Sequence, residues 1–261
     1  MEAVQKLVGL LGWKNFILET QNQFTSEANN MNILKPNLMV FSLLLFLPFA
    51  DVDTAVAAEY AEGKLGKALI LDGSSHTVKI PHYAGLKPDK AITISAWIKP
   101  ERVGKGGWAW QQIYRKEDGN ARALMAIGEY EKKHSLCFGL GIRGKYVEHG
   151  VPLEPAKLLD GKWHLVSVTF DGKTIKFYAD GQEIGASTKA TGSIDTQGEA
   201  PAYIGSDKGT REFFKGGIDD VRIYHRAVSP GEIKTMALGD GKATVDGIVG
   251  WWKLDGDLKN S

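Results

Sequence analysis

The stretch Gly104-Lys105-Gly106-Gly107-Trp108-Ala109-Trp110-Gln111-Gln112 sets two indole rings close together in a glycine-rich loop. Aromatic faces cover the apolar side of a sugar ring, and planar polar groups take its hydroxyls. Trp108 and Trp110 are therefore candidate ligand contacts, with Arg143, Tyr146 and His149 on a second candidate edge. The competing reading is structural: the two tryptophans start a strand and pack on the core, the commoner fate of that residue. Other chemistry is poorly represented. His76 and His82 have no cysteines or partner histidines to complete a zinc set. There is no G-x-S-x-G elbow, phosphate loop or dinucleotide fingerprint, and Ser206-Asp207-Lys208-Gly209 reads as a turn. Cys137 is the only cysteine, so it forms no intramolecular disulfide; in Ser135-Leu136-Cys137-Phe138-Gly139-Leu140 it reads as a small buried hydrophobe. No catalytic residue and no organic cofactor are assigned.

The elements that would position these residues are strands. Ile92, Ile94, Ala96 and Ile98 alternate with Thr93, Ser95 and Trp97, the period of a half-buried strand, and Pro100 ends it. Trp163–Phe170 and Ile175–Ala179 are separated and followed by Asp171-Gly172 and Asp180-Gly181. Asp-Gly supplies the positive φ of tight hairpin turns, so this region reads as an antiparallel meander. Asp-Gly recurs at Asp72-Gly73 and Asp160-Gly161, and 31 glycines suit a fold with many turns. One short helix is expected: Ser229 caps it, Pro230 takes its first position, Glu232 completes a capping box and Gly239 ends it. The formal net charge is +1, with acids and bases interleaved, so nothing points to nucleic acid or an anionic membrane surface as partner.

Ahead of the strands, residues 38–50 (LMVFSLLLFLPFA) form an apolar run too short to span a bilayer comfortably. Lys35 precedes it and Ala55-Val56-Ala57 follows, the layout of a secretory signal peptide. Residues 31–58 are read as that signal, with translation starting at Met31 and residues 1–30 an upstream extension; a retained membrane anchor and a buried core segment are the alternatives for the apolar run. Cleavage after Ala57 or Ala58 leaves a mature protein starting near Glu59, secreted or in the cell envelope, with no stable membrane span.

Several stretches in order carry a family resemblance: Gly66–Gly73, Ile92–Pro100, Asp160–His164, Phe177–Gly181, Tyr203-Ile204-Gly205 and Phe214–Tyr224 running on to Ser229. Together they resemble the laminin-G-like jelly roll of the concanavalin A-like superfamily, from about residue 64 to 238. The resemblance implies an all-β, two-sheet antiparallel sandwich over residues 59–261. Such domains usually open with an apolar-Trp-x-Leu/Phe-Asp strand, which is missing near residue 59. Gly247-Ile248-Val249-Gly250-Trp251-Trp252-Lys253-Leu254-Asp255 looks like that piece. Residues 247–261 either fill the first-strand position or begin a second, truncated repeat; fill-in is favoured because it covers a sheet edge.

The resemblance also implies a structural calcium, with Asp219 and Asp220 as ligands and Asp72 or Gly73 as carbonyl donors. The alternative is that Asp219 and Asp220 cap a bulged strand and bond backbone amides. Glucanases of this fold carry E-x-D-x-E or E-x-D-x-x-E along one strand, and no such motif is present; Glu129-Tyr130-Glu131 would face opposite sides of a strand. The expected function is an exported, non-catalytic recognition module for glycan. A protein-binding adhesion module and a glycan-cleaving enzyme with a carboxylate pair from separate loops remain open alternatives.

Overall fold

A computed structural model of the chain describes residues 59–103, 110–195, 198–240 and 244–261. The upstream extension, the signal segment and Trp108 lie outside the described residues. The strands are β1 (Glu59–Glu62), β2 (Lys67–Asp72), β3 (Val78–Ile80), β4 (Ile92–Pro100), β5 (Gln111–Asp118), β6 (Ala121–Tyr130) and β7 (Lys133–Ile142). They continue as β8 (Lys145–Pro152), β9 (His164–Phe170), β10 (Ile175–Ala179), β11 (Gln182–Ser187), β12 (Ala202–Ile204), β13 (Lys215–Tyr224) and β14 (Ile248–Trp252). Among the described residues two short α-helices accompany them, α1 (Pro155–Leu158) and α2 (Pro230–Ala237). Among the described residues no helix is long and apolar enough to cross a membrane.

The strands form two antiparallel sheets of a jelly-roll sandwich. One runs β1-β2-β13-β4-β9-β10-β11, with β14 also on β13; the other runs β3-β12-β5-β6-β7-β8. Turn chemistry sets the hairpins: Asp180 (φ 50°) and Gly181 (φ 81°) both take the left-handed conformation that joins β10 to β11. The core between the sheets holds Ile92, Ile94 and Ile98 of β4, Met125 and Ile127 of β6, Phe138 of β7 and Phe177 of β10.

β4 is not half-buried as its alternation predicts: Thr93, Ser95 and Trp97 are buried too. The reason is α2, whose Ile233 and Met236 pack with Trp97, Tyr178 and Tyr224 on the outer face of that sheet. The helix has the capping box that its sequence predicts, between Ser229 and Glu232, and Gly239 follows with φ 65°. The polar side chains beneath it are partnered: Thr93 Oγ1 donates to the Arg226 carbonyl at 2.7 Å, and the Ser95 and Ser167 hydroxyls bond at 2.8 Å. β14 lies along β13 beyond the end of β2: β2 pairs with residues 215–218, and β14 with residues 221–224.

Candidate functional site

The outward face of the second sheet carries a polar cleft of about 260 Å³. Alternation along the strands builds it. In β6, Ala123, Met125 and Ile127 enter the core, so Arg122, Leu124 and Ala126 face the cleft. In β8, Val147 packs on the core, while Tyr146 and Glu148 face the cleft. Small residues make room for the aromatic rings. A Cβ at Gly128 would run into the Trp110 indole, and one at Gly139 into the Tyr146 phenol, so both rings lie against glycine.

Between the rings sits a charged network. Arg115 is buried and donates to Glu117 (2.5 Å) and Glu212 (3.2 Å). Asp207 Oδ1 lies 3.2 Å from Arg115 Nε, an ion-pair distance; that N–H points instead at Glu117, 2.9 Å away. Asp207 also holds Arg211 at 2.6 Å, and Lys208 reaches Glu117 at 2.7 Å. The Arg122 guanidinium stacks 4.4 Å from the Tyr146 ring centroid and donates to the Gly119 carbonyl. Tyr146 Oη donates to Glu148. Glu212 takes a left-handed φ of 55°, uncommon for a residue with a Cβ, and its carboxylate accepts from Gln112 Nε2 at 2.6 Å. Burial pushes the Glu212 carboxyl above the ordinary range, against the Gln112 and Arg115 hydrogen bonds that favour its charged form. Burial likewise acts to raise Glu117, but Lys208 and Arg115 outweigh it and hold that carboxyl low.

Of the ligand contacts expected from sequence, the fold brings Trp110 and Tyr146 into this one cleft. His149 does not join them. It falls on the opposite side of β8 from Tyr146 and Glu148, with its ring 5.8 Å from Phe177 of the core. Arg143 sits exposed in the β7–β8 turn with φ 52°, its guanidinium against Gly192. Sequence reading missed Gln112, Arg115, Arg122, Glu148 and Glu212, and took Asp207 and Lys208 for a plain turn. The one available signal was the charged run Arg115-Lys116-Glu117, in which strand periodicity puts Arg115 and Glu117 on one face.

The four residues expected around calcium do not assemble. Asp72 is opposite Lys215, whereas Asp219 lies four residues further along β13, on the order of 13 Å away at strand rise. Asp72 accepts from the amides of Ser74, Ser75 and His76, each at 2.9 Å. The Gly73 carbonyl accepts from Arg102 at 3.1 Å. A bulge at Asp220 (φ 52°) interrupts the β13–β4 ladder. Asp220 is held by Arg222 (2.9 Å) and by the Trp251 indole N–H (2.6 Å). Asp219 Oδ2 accepts from the amides of Lys64 (2.8 Å) and Leu65 (2.9 Å), while its Oδ1 is buried without a partner. Among the described residues no cluster of three or more His, Cys, Asp or Glu side chains is arranged to hold a metal ion.

Burial holds the Asp219 carboxyl up at about 7, against the two amides. The folded protein therefore keeps this proton to higher pH than the unfolded chain, where Asp titrates near ~3.9. Its contribution is complete below about pH 4 and is lost as pH rises toward about 7. Asp219→Asn should flatten the melting temperature between those limits, since an amide oxygen still accepts from Lys64 and Leu65. An unchanged slope would assign the titration to another group. A wild-type melting temperature that falls with chelator and recovers with Ca²⁺ would instead mean that a cation satisfies Oδ1.

A family model described as Laminin_G_3, of the concanavalin A-like lectin/glucanases superfamily, matches residues 72–234. No curated protein sequence matches the chain. Solved structures are similar in fold. Domain 4 of an extracellular arabinanase from Geobacillus stearothermophilus, in complex with arabinotriose, has a TM-score of 0.52 at 22% identity, covering 69% of this chain and 81% of that one. A putative carbohydrate binding protein from Bacteroides ovatus has a TM-score of 0.56 at 20% identity, covering 76% and 54%. The botulinum neurotoxin serotype G binding domain has a TM-score of 0.56 at 11% identity, covering 71% and 45%.

Proposed function

Since the chain belongs to the Laminin_G_3 family of the concanavalin A-like lectin/glucanases superfamily, we propose that it is an exported, non-catalytic module that binds carbohydrate in the cleft between Trp110 and Tyr146. The observation that carries this reading is the cleft itself. It combines two aromatic rings with a fixed set of planar polar groups, the chemistry that recognises a sugar's two faces. The arabinotriose complex and the carbohydrate binding protein among similar structures support it as analogy of fold. A single cleft of this size binds weakly, near millimolar, about −4 kcal/mol. Biological use then rests on several copies acting together.

Trp110→Ala should weaken binding in a glycan-array screen by about tenfold or more, the worth of one stacked ring. Binding that survives this substitution would move the sugar elsewhere on the molecule. No glycan binding at all would favour a protein-binding adhesion role.

A second reading, glycan cleavage, draws on one observation: Glu148 and Glu212 line the same cleft, and burial raises the Glu212 carboxyl. Against it, Glu212 Oε2 accepts from both Gln112 and Arg115, which leaves no proton on that oxygen to donate. Sugar released in the same wells would favour the enzyme.

A further inference from the structure

Accepting the carbohydrate reading of this cleft, we infer that it selects uncharged, hydroxyl-donating glycans and rejects acidic ones such as uronates and sulfated sugars. The charge count comes first. The cations in or joined to the cleft are Arg115, Arg122, Arg211 and Lys208. Glu117, Glu148, Glu212 and Asp207 match them one for one. A cleft for an acidic sugar needs an arginine or lysine whose charge is not already answered. Here Arg115 is shared among three carboxylates, Arg211 and Lys208 each hold one, and Arg122 lies 3.6 Å from Glu117 with its guanidinium over the Tyr146 ring. An anionic ring placed among Glu148 and Glu212 would meet like charge in a partly desolvated site.

The hydrogen-bonding capacity left over points the same way. Gln112 is 2% exposed and lines the back of the cleft. Its Nε2 donates to Glu212; a carboxylate only accepts, and only the nitrogen end of the amide donates, so the amide's orientation is assigned. Its Oε1 consequently faces away from that bond, buried and without a partner. A buried acceptor left unpaired is costly, and a ligand donor or a bridging water relieves that cost where the lining parts to admit it. The carboxylates of Glu148 and Glu212 add acceptor lone pairs, because each is engaged by few donors. A sugar hydroxyl answers this lining, whereas a carboxylate or sulfate brings more acceptors.

The test is calorimetric titration of the protein with neutral trimers (arabinotriose, xylotriose, cellotriose, galactotriose), trigalacturonate, and monodeoxyfluoro versions of the neutral trimers. Fluorine keeps a hydroxyl's size but cannot donate. The expected result is binding of at least one neutral trimer, lost in Trp110→Ala. Trigalacturonate should bind at least tenfold more weakly, and one fluorinated position should cost about tenfold. Trigalacturonate binding as well as the neutral trimers, or fluorinated trimers binding unchanged, would overturn this selectivity and leave the carbohydrate reading standing. No saccharide binding, or binding indifferent to Trp110, would overturn both.

Discussion

Arg115→Met should destabilise the protein by about 3–5 kcal/mol at neutral pH, a large share of the roughly 5–15 kcal/mol that holds a typical domain folded. The guanidinium is buried and neutralises Glu117, Asp207 and Glu212 at once. Methionine fills similar volume but leaves those carboxylates facing one another with less counter-charge; Lys208 and Arg211 still answer Glu117 and Asp207 from the rim. The Glu212 carboxylate keeps the hydrogen bond from the Gln112 amide and loses the one from Arg115, so it should suffer most. Urea unfolding at several pH values measures this, with an unchanged m-value confirming that the same surface is exposed. The deficit should shrink at acid pH, as Glu212, whose carboxyl burial already raises, takes up a proton. Arg115→Lys should be intermediate, because a single ammonium cannot reproduce the fork. A loss under about 1 kcal/mol at pH 7 would mean that solvent screens the network and that it is a surface feature.

Trp252→Ala should cost a comparable amount, about 3–5 kcal/mol, whereas Trp251→Ala should cost about 1 kcal/mol. The two rings are neighbours in sequence and sit on opposite faces of β14. Trp252 is 2% exposed and packs in the core between the sheets. Trp251 points outward, donates to Asp220, and is stacked by Arg222 and Lys253, each 4.6 Å from its ring centroid. Thermal or chemical denaturation of the two variants side by side checks the order. A reversed order would place β14 one residue out of register with β13, since a single-residue slip exchanges the two faces.

Much of the architecture is legible in the sequence. The alternation of Ile92, Ile94, Ala96 and Ile98, the Asp180-Gly181 turn and the Ser229–Glu232 capping box are local signals, each read from a few adjacent residues. The resemblance to the laminin-G-like jelly roll rested on such stretches in order, and the family match over residues 72–234 agrees with it. Local signals run out where burial depends on a distant segment. The outer face of β4 reads as solvent-facing until α2 is laid over it. The resemblance groups Asp72 with Asp219 around one ion, but the β2–β13 register holds them at different points along the ladder.

The sequence by itself determined the strand pattern, the turns and the helix cap, because period-two alternation, positive-φ turn chemistry and capping act over a few residues. Tertiary structure decided the site. It put Trp110 and Tyr146 in one cleft, left His149 and Arg143 outside it, and gathered Arg115, Asp207 and Glu212 from β5 and the loop between β12 and β13. A charge's role is set by what packs around it, and the carboxylates that neutralise Arg115 lie up to 97 residues away along the chain.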